Sequence, residues 1–215
     1  MRRVALLLIA LFATFSLAFS FWRKTTIVER PQLAEMTSYA YFPDTGFSHL
    51  FDREANTLDG LIEKADAVAL VRKAGLEEWK ESSLLLELEV LRCFKGDLGG
   101  HIYYYEPISV YPRGEMLCVL GYVPMQEGRE YLVILQKVKS PYEAEEYYYP
   151  LCADLGKHEK GKQATLFVGE ATYGMVKDEP LALADESYMF FEGKDRMGLY
   201  NQIHDEIEQR GMFER

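Results

Sequence analysis

Across residues 84–94 apolar side chains recur at every second position, a period that demands an extended strand with one buried face. Leu84, Leu86, Leu88 and Val90 share that face, and Glu87 and Glu89 take the other. Leu91 and Cys93 then carry the apolar phase, so the pattern slips by one residue. Such a slip predicts a β-bulge, the device that bends a long strand around a small barrel. Lys95, Gly96 and Asp97, followed by Gly99 and Gly100, supply the turn that ends it.

The same period marks further strands at 67–73, 102–110, 117–123, 130–138, 147–152, 164–168 and 173–176. Fifteen Tyr and twelve Phe suit such pleated, half-buried surfaces. Helical spacing occurs on either side of this run. Leu58, Leu61, Ile62 and Ala65 define a short helix over 57–66, which Asn56 or Thr57 can cap. Met197, Tyr200, Ile203 and Ile207 line one face of a C-terminal helix, expected to close one end of the barrel. The fold class is therefore mainly β: a small, closed or partly open OB-like barrel with a short leading helix and a C-terminal helix.

Ahead of the domain, Arg2 and Arg3 precede an apolar run from Val4 to Trp22, and Arg23 and Lys24 follow it. This pattern reads as an export signal over 1–24. It is a cleavable peptide with small residues at Ala18 and Ser20, or a membrane anchor close to the ~20 residues needed to cross ~30 Å of hydrocarbon. Residues 25–56, with Pro31, Pro43 and Gly46, read as a linker or a segment that wraps around the domain. The barrel domain occupies 57–215. Its expected location is the extracytoplasmic face of the cell membrane, or outside the cell if the signal is cleaved.

Charge and cysteine count narrow the partners. Acidic residues number 34 against 24 basic, and a net charge of -10 opposes nucleic acid and anionic lipid headgroups. Cys93, Cys118 and Cys152 permit one disulfide plus a free thiol in an oxidising exterior, and the spacing leaves the pairing open. They lack C-x-x-C spacing and His49, His101, His158 and His204 are scattered, so no metal or other cofactor is expected.

Several short motifs stand in a telling order. Glu63 to Val71 reads EKADAVALV, then come LEVLRCFKGD and EGREYLVIL, then a tyrosine-rich strand. This series resembles the bacterial extracytoplasmic branch of the netrin-like superfamily, the OB-fold barrels typified by the tissue inhibitors of metalloproteinases. The resemblance rests on Ala65, Asp66 and Val68, on the turn at Lys95 and Gly96, and on Gly128, Tyr131 and Leu132. It implies an OB-fold barrel. It does not imply protease inhibition, because no mature N-terminal Cys stands ready to enter a partner's zinc site.

No catalytic residue emerges. The run from Gly169 to Gly174 lacks the Ser of a nucleophile elbow and reads as a turn. Glu143, Glu145 and Glu146 lack the spacing of a calcium loop and read as a solvated face, and His158 beside Glu159 reads as a surface histidine. The tyrosines offer more. Tyr103, Tyr104 and Tyr105, like Tyr147, Tyr148 and Tyr149, place rings on both faces of their strands, so one set points away from the core. Tyr103, Tyr105, Tyr147 and Tyr149 are the candidate ligand-binding residues, with a protein or a carbohydrate polymer as partner. The chain is thus expected to be a binding module rather than an enzyme. The alternative is an extracytoplasmic hydrolase with an unidentified active site, which a pocket joining His158 to a carboxylate would favour.

Overall fold

A computed structural model describes residues 37–41, 54–80, 83–111, 115–139, 146–165, 175–177 and 193–214. The expected signal or anchor over 1–24 lies outside them, as do the turn at 169–174 and most of the segment 25–56. Among the described residues no helix is long and apolar enough to cross a membrane.

The chain order is β1 (Thr37–Tyr41), α1 (Leu58–Lys64), β2 (Ala67–Lys80), β3 (Ser83–Lys95), β4 (His101–Glu106), β5 (Ile108–Tyr111), β6 (Glu115–Val119), β7 (Glu130–Lys139), β8 (Glu146–Pro150), β9 (Lys157–Glu159), β10 (Met175–Lys177) and α2 (Lys194–Gln209). Strands β2, β3, β4, β8 and β7 are hydrogen-bonded in that order, and β7 pairs back onto β2 to close a five-stranded barrel. All contacts around the ring are antiparallel except β4 against β8. A second sheet, ordered β10, β1, β6 and β5, stands beside it.

The bulge read from the phase slip is present. Leu70 pairs with Arg92 and Val71 with Val90, so Leu91 is the extra residue on β3. A second irregularity leaves Phe94 unpaired between Cys93 and Lys95. These insertions let β3 curl so that Leu84, Leu86 and Leu88 stay in the interior cluster while Leu91 and Phe94 pack on the outer one.

Alternation sorts the barrel walls into two cores. Ala67, Ala69 and Val71 of β2 and Tyr131, Val133 and Leu135 of β7 face inward. Val68, Leu70, Leu132 and Ile134 face outward, where Leu58 and Leu61 of α1 and Tyr200, Ile203 and Ile207 of α2 cover them. The C-terminal helix therefore lies on the outer wall of β2 and β7 and does not close a barrel end. Ile108, Met116 and Cys118 from the β5–β6 hairpin join the interior cluster instead. The single strand expected over 102–110 is two, because the chain leaves the barrel at Glu106 and Pro107 and enters the second sheet at Ile108.

The helix–strand junction explains the Lys95–Gly96 turn. Thr57 caps α1, its Oγ1 accepting from Gly60 N at 3.1 Å. At the other end Lys95 Nζ donates to the carbonyls of Ile62 and Glu63, both at 2.8 Å. A cation is thereby placed on the free C-terminal carbonyls of the helix. Gly96 has φ +89°, and a Cβ there would stand 2.8 Å from Asp66 O and 2.9 Å from Ala67 Cβ. Asp66 in turn donates its N–H to Leu135 O at 2.9 Å and accepts from Lys137 N through Oδ2 at 2.8 Å. We predict that Gly96→Ala lowers unfolding free energy by about 2 kcal/mol or more, because it combines left-handed strain with a backbone clash. Urea denaturation with an unchanged slope is the check.

Candidate binding face and buried polar groups

The parallel pairing of β4 and β8 sets Tyr103 opposite Tyr147 and Tyr104 opposite Tyr148. Tyr104 and Tyr148 enter the interior cluster. Tyr103, Tyr105, Tyr147 and Tyr149 consequently share the outer face, and the structure brings all four predicted residues together. Tyr105 stacks on Tyr149 at 5.1 Å between centroids with 14° between planes, while Tyr147 lies 5.4 Å from Tyr105 and 6.1 Å from Tyr103. Lys80 Nζ sits 5.1 Å over the Tyr147 ring and donates to its hydroxyl at 3.3 Å. Tyr147 is only 3% exposed, so of the four predicted residues it is the one not open to a ligand, whereas Tyr103, Tyr105 and Tyr149 are half-buried. On the same face the adjoining β7 residues are Gln136, opposite Tyr149, and the 36% exposed Val138, opposite Tyr147.

Inside the barrel lies a polar group that the sequence reading missed. Glu106 is 1% exposed, and its Oε1 accepts from Met125 N at 2.6 Å and from the Tyr122 hydroxyl at 3.2 Å. Tyr122 and Tyr104 share a further hydrogen bond at 3.0 Å, and Glu106 Oε2 has no hydrogen-bond partner. Tyr122 is delivered there by a tight turn at Leu120 (φ +50°) and Gly121 (φ +76°), which leads the chain back from β6. Burial pushes the Glu106 carboxyl up to about 7, and the charge of Lys157 opposes that rise.

Strand β9 supplies Lys157. It pairs with β7 beyond the stretch that β8 occupies, and Lys157 lies opposite inward-facing Val133 while His158 lies opposite outward-facing Leu132. Direct cross-strand neighbours share a face. Lys157 therefore enters the barrel, donates to Val123 O and sits 3.8 Å over the Tyr122 ring. Burial draws its ammonium down to about 8, against the pull of Glu106 and Glu159.

His158 is fully buried in the outer core and is not the surface histidine expected. Its Nε2 lies 2.9 Å from Leu155 O, and its ring stacks on Tyr200 at 4.3 Å. Burial drives it down to about 3, so it stays neutral and its bonded nitrogen is committed to a backbone carbonyl. Glu159 points to Arg129. No catalytic base can be built from this arrangement.

The cysteines do not pair. Cys93 is exposed, Cys118 lies in the inner core and Cys152 in the outer one, all three as free thiols. Cys152 Sγ instead donates to Asp154 Oδ1 at 2.7 Å, and Arg196 of α2 holds the same carboxylate through Nε at 2.6 Å. Of the acidic cluster, Glu143 and Glu145 lie outside the described residues, and Glu146 is paired with Lys137. Among the described residues no set of three or more His, Cys, Asp and Glu side chains could hold a metal ion.

Comparison with protein-family models, curated proteins and solved structures gave no match.

Two substitutions test the interior. Glu106→Leu strands the Met125 N–H and the Tyr122 hydroxyl and costs about 3 kcal/mol, while Glu106→Gln keeps an acceptor oxygen and costs less than half of that. The sign of the pH effect follows from the raised carboxyl. A buried acid held above its unfolded value stabilises fully below about 4.5, and that stability is lost as pH rises to about 7. The stability difference between Glu106→Gln and the wild type should therefore move in the variant's favour from pH 4.5 to 7, as measured by urea denaturation at three pH values.

Proposed function

We propose that the chain is an OB-like barrel of netrin-like type that works outside the cytoplasm as a binding module. Its N-terminal segment holds it at the membrane or directs its secretion, and the tyrosine face of β4 and β8 takes a protein or carbohydrate polymer. The stacked pair Tyr105–Tyr149, flanked by half-buried Tyr103, is the observation that carries the reading. Rigid aromatic rings on strands give a ligand large contact area at little cost in conformational entropy. The barrel order supports the OB likeness. Numbering its strands one to five along the chain gives the ring one, two, three, five, four, with three and five parallel.

Charge favours these partners over nucleic acid, since a net charge of -10 repels phosphate backbones. Hydrolysis centred on His158 gains no support, because that ring is buried and bound to a carbonyl.

The test uses full-length protein tagged after Arg215. Crosslinking capture from intact cells and retention on immobilised polysaccharides are each compared between wild type and Tyr103→Ala combined with Tyr105→Ala. A loss of about tenfold in one assay, with the urea midpoint of the variant still showing a folded barrel, is expected and identifies the partner class. Equal capture by both forms in both assays would sink the proposal.

A further inference from the structure

Within the apolar seam between α2 and the barrel, which Arg196 pins through Asp154 and Asn201 through Ala164, lie two imidazoles. His158 on the outer face of β9 and His204 of α2 stand 5.8 Å apart between centroids, with Tyr200 stacked on His158 and Phe213 5.4 Å from His204. Both rings are essentially inaccessible, His158 at 0% and His204 at 1%. His158 Nδ1 and His204 Nδ1 make no hydrogen bond, and His204 Nε2 has only the Glu208 carboxylate, 3.4 Å away. A merely structural contact at this place would be served better by Phe or Leu, since each unpaired buried nitrogen forfeits a bond to water.

We infer that this pair is an acid-sensitive latch: protonation of His158 and His204 releases α2 from the barrel wall and uncovers the apolar surface of β2 and β7 beneath it.

The groups around the pair favour release over retention. His158 faces the carbonyl of Leu155, the neighbouring Lys157 charge and His204, and the two cationic groups oppose a proton there. His204 meets Glu208, whose Oε1 lies 3.4 Å from Nε2, with Asp205 and Glu159 acting at longer range. Glu208 and Asp205 belong to α2 itself and stay near His204 when the helix departs, so they stabilise the charged ring in the released state as well. Glu159 is the barrel's own carboxylate in this set, and Arg129 engages it. Release hydrates both imidazolium ions, which the closed seam cannot do.

The sign follows from linkage. A histidine held below its usual value of 6.5 in the closed state stabilises that state above 6.5, and the stability is lost as pH falls toward the lowered value. With His158 held near 3, protonation of that ring alone favours the open state roughly thirty-fold more at pH 5 than at pH 7.5. The loss is opposite in direction to the effect of Glu106, so the two sites separate in a titration.

Amide hydrogen exchange of the full-length protein at pH 7.5 and pH 5, corrected for intrinsic rates, reads the latch directly. The wild type should lose protection in α2 by at least tenfold at pH 5 while β7 peptides keep theirs. The variant His158→Phe combined with His204→Phe should hold α2 protected at both values. Unchanged α2 protection in the wild type, or the same loss in the variant, overturns the inference. Should that variant fail to fold, nitrogen NMR of the wild-type imidazoles decides. The two buried rings must gain protons over the pH range in which α2 opens, and opening with both rings still neutral overturns the latch.

Discussion

Closure of the barrel depends on one corner, where α1 ends, β2 begins and the turn after β3 passes underneath. Asp66 fastens that corner to β7 with two hydrogen bonds, one from its own N–H and one to its side chain. Lys95 holds the last carbonyls of α1 from below, and Gly96 lets the backbone come close enough for it to do so. With this corner in place β2 and β7 pair over residues 67–72, and the sheet has no free edge there. Both cores follow from it, since the paired walls separate an interior of alternate residues from an outer layer roofed by helices.

The turn, the cap and the strand that meet at this corner were legible in the sequence because each is local, whereas the bonds from Lys95 to α1 and from Asp66 to β7 were not. A turn glycine, a cap and an alternating run each announce themselves within a few residues. The bulge was legible for the same reason: moving apolar residues from even to odd positions leaves a mark at Leu91 that only an extra residue can absorb. What escaped was set by distant pairing. Strand β2 runs on to Lys80 through Gly75, Glu77 and Glu78, polar residues that read as loop but lie opposite Leu84 to Leu86 of β3 or beside them. Strand β9, three residues of Lys, His and Glu, looks like a solvated turn until β7 supplies its ladder.

The same blindness hid the buried charges. Glu106 and Lys157 are residues that composition places on a surface, and their burial comes from a single fact about each strand, namely which neighbour lies opposite. Only Glu106 bore a trace of its role: it continues the inward phase of Ile102 and Tyr104 at the end of β4. The four tyrosines were easier, because six rings in two runs of three must divide between faces whatever the register, and the parallel pairing then decided only that the outward sets would meet.

Two sides of the barrel wall therefore do different work for different reasons. Around β2 and β7 the outer residues are aliphatic, and helices cover them through a seam that holds two buried imidazoles with unpaired nitrogens. Across β4 and β8 the outer residues are aromatic, with Lys80 seated on one ring. Tyrosine satisfies its own hydroxyl in water while presenting an apolar ring, so a wall made of it tolerates partial exposure that the aliphatic wall does not. A ligand that gained contact with the tyrosines would add little strain to the fold. Loss of α2, by contrast, would strip one of the two helices that cover Val68, Leu70, Leu132 and Ile134 and expose apolar wall. Such a release would leave the ring of strands closed, because the ladders of β2 and β7 do not pass through the helix.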